Sequence, residues 1–336
     1  MAHLYQRKNS KYWWFKVYRG GKRFRESTRT EDRLEAERIM LKRISEIEGI
    51  FGNPVEYMDK KVKRRYRTEH IRKLPRVAVF DIETSPLEAY VWGKKIQGGY
   101  IGDHQIKKDW AMLCWTARWL FDGDWMGACV TPQEATDRQD KSIMQRLWDF
   151  MEKADVIIAH GGSGFDIPRA NMRLALNGFK PPSPYQVIDT LQATRRVFGS
   201  ASYTQDFLNK KFGLSPKIHT DFELWKRCVE PELDQETAIA EMMQYNIGDV
   251  YGLEELYITV APWLKTPVNL SMYTDNENRE CGNCLSMDLE ALSQPYTTKA
   301  GQYESYRCLR CGTIGRSRYT DKTFSQRLHS IIPTAR

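Results

Sequence analysis

Asp81 and Glu83 stand at the end of the apolar run Val77-Ala78-Val79-Phe80, and this placement constrains the chain more than any other feature. In a strand, residues i and i+2 point to one face, so both carboxylates leave the sheet side by side. Two further short motifs follow in order, Phe165-Asp166 and Tyr245-Asn246-Ile247-Gly248-Asp249. The last lies in a stretch with helical apolar spacing, which sets Tyr245 and Asp249 on one helix face at i and i+4. Four acids brought together repel one another unless cations sit between them. Hard oxygen donors suit Mg²⁺ or Mn²⁺. Two such ions roughly 3.5–4 Å apart stabilise the attacking and leaving oxygens of an in-line phosphoryl displacement. The motifs therefore point to metal-dependent phosphodiester hydrolysis.

In order and residue type, Asp81/Glu83, Asp166 and Tyr245/Asp249 resemble the motifs of the DEDDy branch of the DnaQ-like 3′→5′ exonucleases. The resemblance covers about residues 75–265 and is greatest to exonucleases encoded by bacteriophages. Val156-Ile157-Ile158-Ala159-His160, Ile188-Asp189-Thr190-Leu191 and Asp221-Phe222-Glu223-Leu224-Trp225 fit it as well. It implies a ribonuclease H-like fold and cleavage of a nucleic acid from the 3′ end, and the catalytic motifs do not separate ribose from deoxyribose. It also implies two Mg²⁺ or Mn²⁺ ions held by Asp81, Glu83, Asp166 and Asp249, with Tyr245 orienting the attacking water. The unperturbed tyrosine pKa near 10 argues against Tyr245 as a simple base at neutral pH. One departure stands out: where the family often carries Asn, this chain has Gly161-Gly162-Ser163-Gly164. That run lacks the Lys and spacing of a P-loop and reads as a tight turn.

Each motif also has a plain structural reading. Asp166 before Ile167-Pro168-Arg169 reads as a helix N-cap with Pro in the first turn. Asp189 is a fifth acid but is not counted as a ligand, and His160 reads as a core or loop histidine. The force of the assignment lies in the conjunction of the motifs.

Formal net charge is +8 and unevenly spread. Residues 1–74 hold 21 Lys and Arg against 10 Asp and Glu, and the remainder holds 30 against 33. Such asymmetry points to a polyanionic partner for the first segment. Strands are predicted over 4–7, 12–18 and 22–27, with Gly20-Gly21 as a hairpin turn, and a helix from Thr30 to about Glu48. Tyr-x-x-x-x-Ser-x-Tyr-Trp-Trp, Gly-Gly-Lys-Arg-x-Arg-Glu-Ser-Thr and Asp-Arg-x-Glu-Ala-Glu resemble the arm-type DNA-binding domain of phage tyrosine integrases over about residues 3–50. That family lays its small sheet against duplex DNA. Lys16, Arg19, Lys22, Arg23 and Arg25 are the candidate contacts, since Lys and Arg neutralise phosphates. The Trp13-Trp14 pair reads as core. None of the six histidines begins His-x-x-Arg, so recombination chemistry is excluded.

The expected fold class is α/β, a mixed sheet flanked by helices, with a small N-terminal three-stranded sheet with one helix and a C-terminal zinc ribbon. Core strands are predicted over 77–82, 89–92, 112–119, 125–130 and 156–160, and helices near 141–153, 167–177, 203–212 and 235–259. Seven cysteines without a secretory pattern exclude a disulfide framework. Cys281-x-x-Cys284 and Cys308-x-x-Cys311 have the spacing of two knuckles that hold one structural Zn²⁺. Cys114, Cys129 and Cys228 read as buried or incidental. The expected organisation is an arm-type domain over 1–50, a basic linker over 51–74, the exonuclease domain over 75–265, a zinc ribbon over 266–320 and a tail over 321–336. No apolar stretch approaches the ~18 residues of a membrane span, and no signal-type run opens the chain, so a cytoplasmic location is expected. DNA is the expected partner, with a polymerase or another replication or recombination protein as a second. An exoribonuclease, a structure-specific endonuclease and a recruitment protein with an inactive core are the competing readings.

Overall fold

The structure is a computed structural model that describes residues 2–7, 10–19, 22–32, 36, 39–40, 74–94, 99–265 and 268–330. At the N-terminus β1 (Ala2–Gln6), β2 (Trp13–Arg19) and β3 (Lys22–Ser27) form an antiparallel sheet in that order. Phe15 is its buried centre. Both tryptophans are half-buried; Trp13 Nε1 donates to the Glu31 carbonyl (3.0 Å) and Trp14 stacks under Arg7. The Gly20-Gly21 turn, most of the predicted helix over 30–48 and the basic linker over 51–73 lie outside the described residues.

The core sheet has five strands: β4 (Val77–Thr84), β7 (Met112–Trp119), β8 (Trp125–Cys129), β9 (Val156–Ala159) and β10 (Gln186–Asp189). Between β4 and β7, β5 (Glu88–Ala89) and β6 (Ile106–Lys108) make a separate short hairpin. Strand order is β10-β9-β4-β7-β8. The β4–β9 and β9–β10 pairs are parallel, and β4–β7 and β7–β8 antiparallel. This is the predicted mixed sheet, with the acid-bearing strand at its centre. The predicted strand over 89–92 is shorter: only Glu88–Ala89 pairs, and Tyr90, Val91 and Trp92 are exposed. Among the described residues their β-forming side chains have no strand packed on them.

Alternation along β4 divides the core. Ala78, Phe80 and Ile82 enter one cluster, and Val77 and Val79 enter the other. Asp81 and Glu83 continue the face of Val77 and Val79. The α-helices between β8 and residue 265 are α1 (Pro132–Asp137), α2 (Lys141–Lys153), α3 (Asp166–Leu176), α4 (Thr190–Val197), α5 (Gln205–Lys211), α6 (Phe222–Val229) and α7 (Gln235–Val260). In α2, Ile143, Met144, Leu147, Phe150 and Met151 recur at helical spacing and form its buried stripe. Phe150 stacks on Phe80 and Trp115 with ring centroids 5.3 and 5.6 Å away. The long helix α7 packs against β4 and β7 and is buried on nearly every side. Its Glu254 pairs with Arg118 of β7 in the interior.

Past α7, β11 (Leu289–Ala291), β12 (Tyr296–Thr297), β13 (Gln302–Tyr303), β14 (Ser305–Cys308) and β15 (Ile314–Arg316) form two small antiparallel sheets. Among the described residues no helix is long and apolar enough to cross a membrane.

Candidate metal and active centre

Two groups of side chains have the make-up of metal sites. The first is carboxylate. Ligand oxygens of Asp81, Glu83 and Asp249 lie within 4.8 Å of one another. The i, i+2 geometry of β4 supplies the first two, and α7 brings Asp249 over the same face. A register shift between Glu83 and Thr84, opposite β7, marks the end of regular pairing at this point. Asp166 is the first residue of α3 and not its N-cap, a position Phe165 takes, and it is not in that close group. Its Oδ1 accepts from the Ile82 amide at 3.3 Å, between the two acids of β4, and its charge raises the Asp81 carboxyl.

Electrostatics reflect the crowding. Burial first, then the neighbouring Asp166, Asp249 and Glu83 charges, push Asp81 well above the carboxylate range. Glu83 rises to about 8 from burial and the Asp249 charge. Asp166 and Asp249 rise to about 6, chiefly from burial. Like charges this close raise one another's pKa unless an opposite charge intervenes. Asp249 Oδ1 is buried without a hydrogen-bond donor among the described residues. A crowded, partly unsatisfied set of carboxylate oxygens fits a divalent cation.

Four neighbours were not singled out by sequence. Lys217 Nζ sits 2.8 Å from Asp249 Oδ2 and 4.8 Å from the Tyr245 ring centroid. Burial would lower this ammonium, but Asp249 and Tyr245 more than compensate, and it is held above its ordinary value. Asn246 donates to Asp81 Oδ2 at 2.6 Å and accepts from Thr116 Oγ1 at 2.6 Å. Trp225 of α6 lies beside Glu83, whose carboxyl pKa it acts to lower, and packs edge-on to Tyr245 with centroids 5.7 Å apart. Gly248 admits the Lys217 segment: a Cβ there would meet Ile218 Cδ1 at 2.8 Å. Tyr245 is itself buried and raised by burial and by Asp249.

The remaining candidates have structural partners. Asp189 accepts from Gly161 N, Ser163 N and Gln192 N at 3.0–3.1 Å, so it caps α4 and clamps the glycine turn. His160 bonds Thr190 Oγ1 and the Tyr203 carbonyl, both at 2.9 Å, and burial lowers its pKa. The glycine run is indeed a tight turn. A Cβ on Gly162 would fall 2.3 Å from Ala159 Cβ, and Gly161 has φ of 81°.

The second group is Cys281, Cys284, Cys308 and Cys311, also within 4.8 Å of one another. The Sγ atoms of Cys281 and Cys311 are 3.7 Å apart, and those of Cys284 and Cys308 3.6 Å. A tetrahedral site with Zn–S of about 2.3 Å has an edge of about 3.8 Å, so the spacing fits zinc. All seven cysteines are unpaired by disulfides. Both knuckles turn alike: Leu285 and Gly312, each after the second cysteine of its pair, have φ of 62° and 83°. Their amides donate to the Cys281 and Cys308 carbonyls at 2.9 Å. Cys281, Cys284 and Cys308 pack in the cluster that contains Val250, Leu253 and Tyr257 of α7.

Of the predicted DNA contacts, Arg25 is exposed and Lys16 is half-buried with Nζ 5.9 Å from the Tyr5 ring centroid. The backbones of Arg19, Lys22 and Arg23 run in β2 and β3, and their side chains lie outside the description.

No curated protein matches the chain. Among solved structures it is similar to the family B DNA polymerase from the hyperthermophilic archaeon Pyrobaculum calidifontis, with 17% identity and a TM-score of 0.39. The aligned part covers 56% of this chain and 25% of that polymerase. Residues 3–43 match the phage integrase N-terminal domain, a part of the chain ending well before the acid cluster.

Proposed function

We propose that the protein is a metal-dependent 3′→5′ exonuclease acting on DNA. The observation that carries this reading is the approach of Asp81, Glu83 and Asp249 to within 4.8 Å, with Asp166 bonded to the intervening Ile82 amide. Asp81, Glu83, Asp166 and Asp249 would hold two divalent ions. Such a pair supplies an attacking water of lowered pKa and positive charge beside the leaving oxygen. The chain's own groups prepare the site. Asn246, fixed by Thr116, holds Asp81 in one rotamer. Trp225 packs edge-on against the Tyr245 ring beside Glu83. Tyr245, raised from its ordinary value, keeps its proton at neutral pH and acts as a hydrogen-bonding group that orients the nucleophile. Lys217 offsets charge on Asp249 and lies beside Tyr245. The 3′→5′ direction rests on the motif resemblance. The integrase-type N-terminal domain supports DNA as the polymer, and Lys16, Arg19, Lys22, Arg23 and Arg25 are its proposed phosphate contacts. The four cysteines would hold a structural zinc with no open coordination position.

The test is a gel of 5′-labelled single- and double-stranded DNA, matched RNA and circular DNA, with Mg²⁺ or chelator. A ladder shortening from the 3′ end of linear DNA, absent with chelator and in Asp81→Ala, is expected. Cleavage of circles, preference for RNA, or equal cleavage by Asp81→Ala would overturn the reading.

A further inference from the structure

Charge along the chain changes sign twice. Residues 75–295 hold 22 Lys and Arg against 31 Asp and Glu, whereas residues 296–330 hold seven against two. The second basic segment is short, folded and aromatic. β12 and β13 pair Tyr296 with Tyr303. The Arg316 guanidinium of β15 lies 4.1 Å from the Tyr303 ring centroid and 5.7 Å from that of Tyr296. Two bonds to the Gln302 carbonyl, from Thr320 Oγ1 and the Asp321 amide, both 2.8 Å, hold the neighbouring Tyr319 beside β13. Tyr296 is 52% exposed and Tyr319 85% exposed. Arg316, Arg318 and Lys299 are exposed as well.

We propose that this face binds single-stranded nucleic acid, with Arg316 and the tyrosine rings as its centre. Cationic side chains there neutralise phosphates, and π-faces accept unstacked bases with little sequence preference. Bases within a duplex are already stacked on one another and offer no ring face, so the aromatic component selects single strands. The rings and guanidinium are pre-ordered by stacking, which limits the entropy lost on binding. The cysteine knuckles root the module in the cluster beneath α7, so the face is held at a fixed position on the chain. The inference rests on the nuclease reading only in naming the bound strand as substrate.

The test uses the full chain with Asp81→Ala, which keeps the probe intact, and fluorescence anisotropy with a labelled 20-mer of thymidine and a 20-base-pair duplex. Arg316→Glu with Arg318→Glu should weaken the single strand by ~10-fold or more and flatten its salt dependence. Arg316→Lys, which keeps charge but loses the planar stack, should give a smaller loss. Duplex affinity should stay at the parent level, since the N-terminal domain supplies it. Zinc content by mass spectrometry verifies that each variant is folded at the knuckles. Unchanged affinity for the 20-mer in a zinc-replete variant overturns the proposal and leaves the face to a protein or lipid partner. Equal losses for duplex and single strand also overturn it. Absence of cleavage by the chain with Asp81 intact would sink the nuclease reading alone, because the binding result is obtained without turnover.

Discussion

Lys217 Nζ and Asp249 Oδ2 are 2.8 Å apart, so one of the clustered acids is already paired with a cation from the chain itself. The contact joins a coil segment before α6 to the middle of α7. Lys217→Met keeps most of the volume and removes the charge. Turnover should fall about 10- to 100-fold, as for groups that orient metal ligands. The half-saturating Mg²⁺ concentration should fall as well, because a competing cation has gone. Steady-state rates over a Mg²⁺ titration test both, and an unchanged rate would remove Lys217 from the machinery.

Asn246 is fully buried between Thr116 and Asp81. Asn246→Ala leaves a hydroxyl and a carboxylate oxygen without their partner, at a cost of about 1–3 kcal/mol. Urea denaturation should register this, with weaker Mg²⁺ binding alongside. Wild-type stability together with wild-type metal affinity would contradict the network.

The acid cluster also predicts a pH dependence. Without Mg²⁺, Glu83 is raised to about 8 and Asp166 and Asp249 to about 6, all chiefly by burial. The folded state thus keeps protons that the unfolded chain has lost, so stability should fall as pH rises from about 4 to about 8. Metal binding needs the ionised forms and releases those protons. The rise in Tm on adding Mg²⁺ should therefore be larger at pH 8 than at pH 6. A Tm increment independent of pH would count against carboxylate ligation.

Elemental analysis should find one zinc per chain, absent from Cys308→Ser. Zinc at a thousandfold excess over its Kd would contribute about 4 kcal/mol. Because Cys308 shares a buried cluster with Leu253 and Tyr257, its loss should lower the Tm of the core and not of the small sheets alone. A core transition indifferent to zinc would argue for a separately folding module.

Parts of this architecture could be read without coordinates. Asp81 and Glu83 are paired by the two-residue repeat of a strand, and Tyr245 and Asp249 by the turn of a helix; local periodicity fixes both relationships. Lys217 has no such signal. It lies in coil, and its meeting with Asp249 depends on how residues 214–220 cross α7 at Gly248. Asn246 sat within a recognised motif, yet a polar residue inside a helix gives no hint of its bond to a strand 165 residues earlier. The aromatic stretch Tyr90-Val91-Trp92 misled in the opposite direction: its side chains favour strands, but pairing ends at Ala89. The short helices α1, α4 and α6 are not among the predicted elements, whereas α5, of similar length, is.

One rod of 26 residues, α7, carries Tyr245 and Asp249 in its middle and underlies the cysteine knuckles near its end. A swinging clamp needs a hinge between the jaw and the blade, and this continuous helix offers none. On the proposed reading, a strand held by the C-terminal module would reach the acids at a distance set by this helix, and the module would act as a ruler and not a gate.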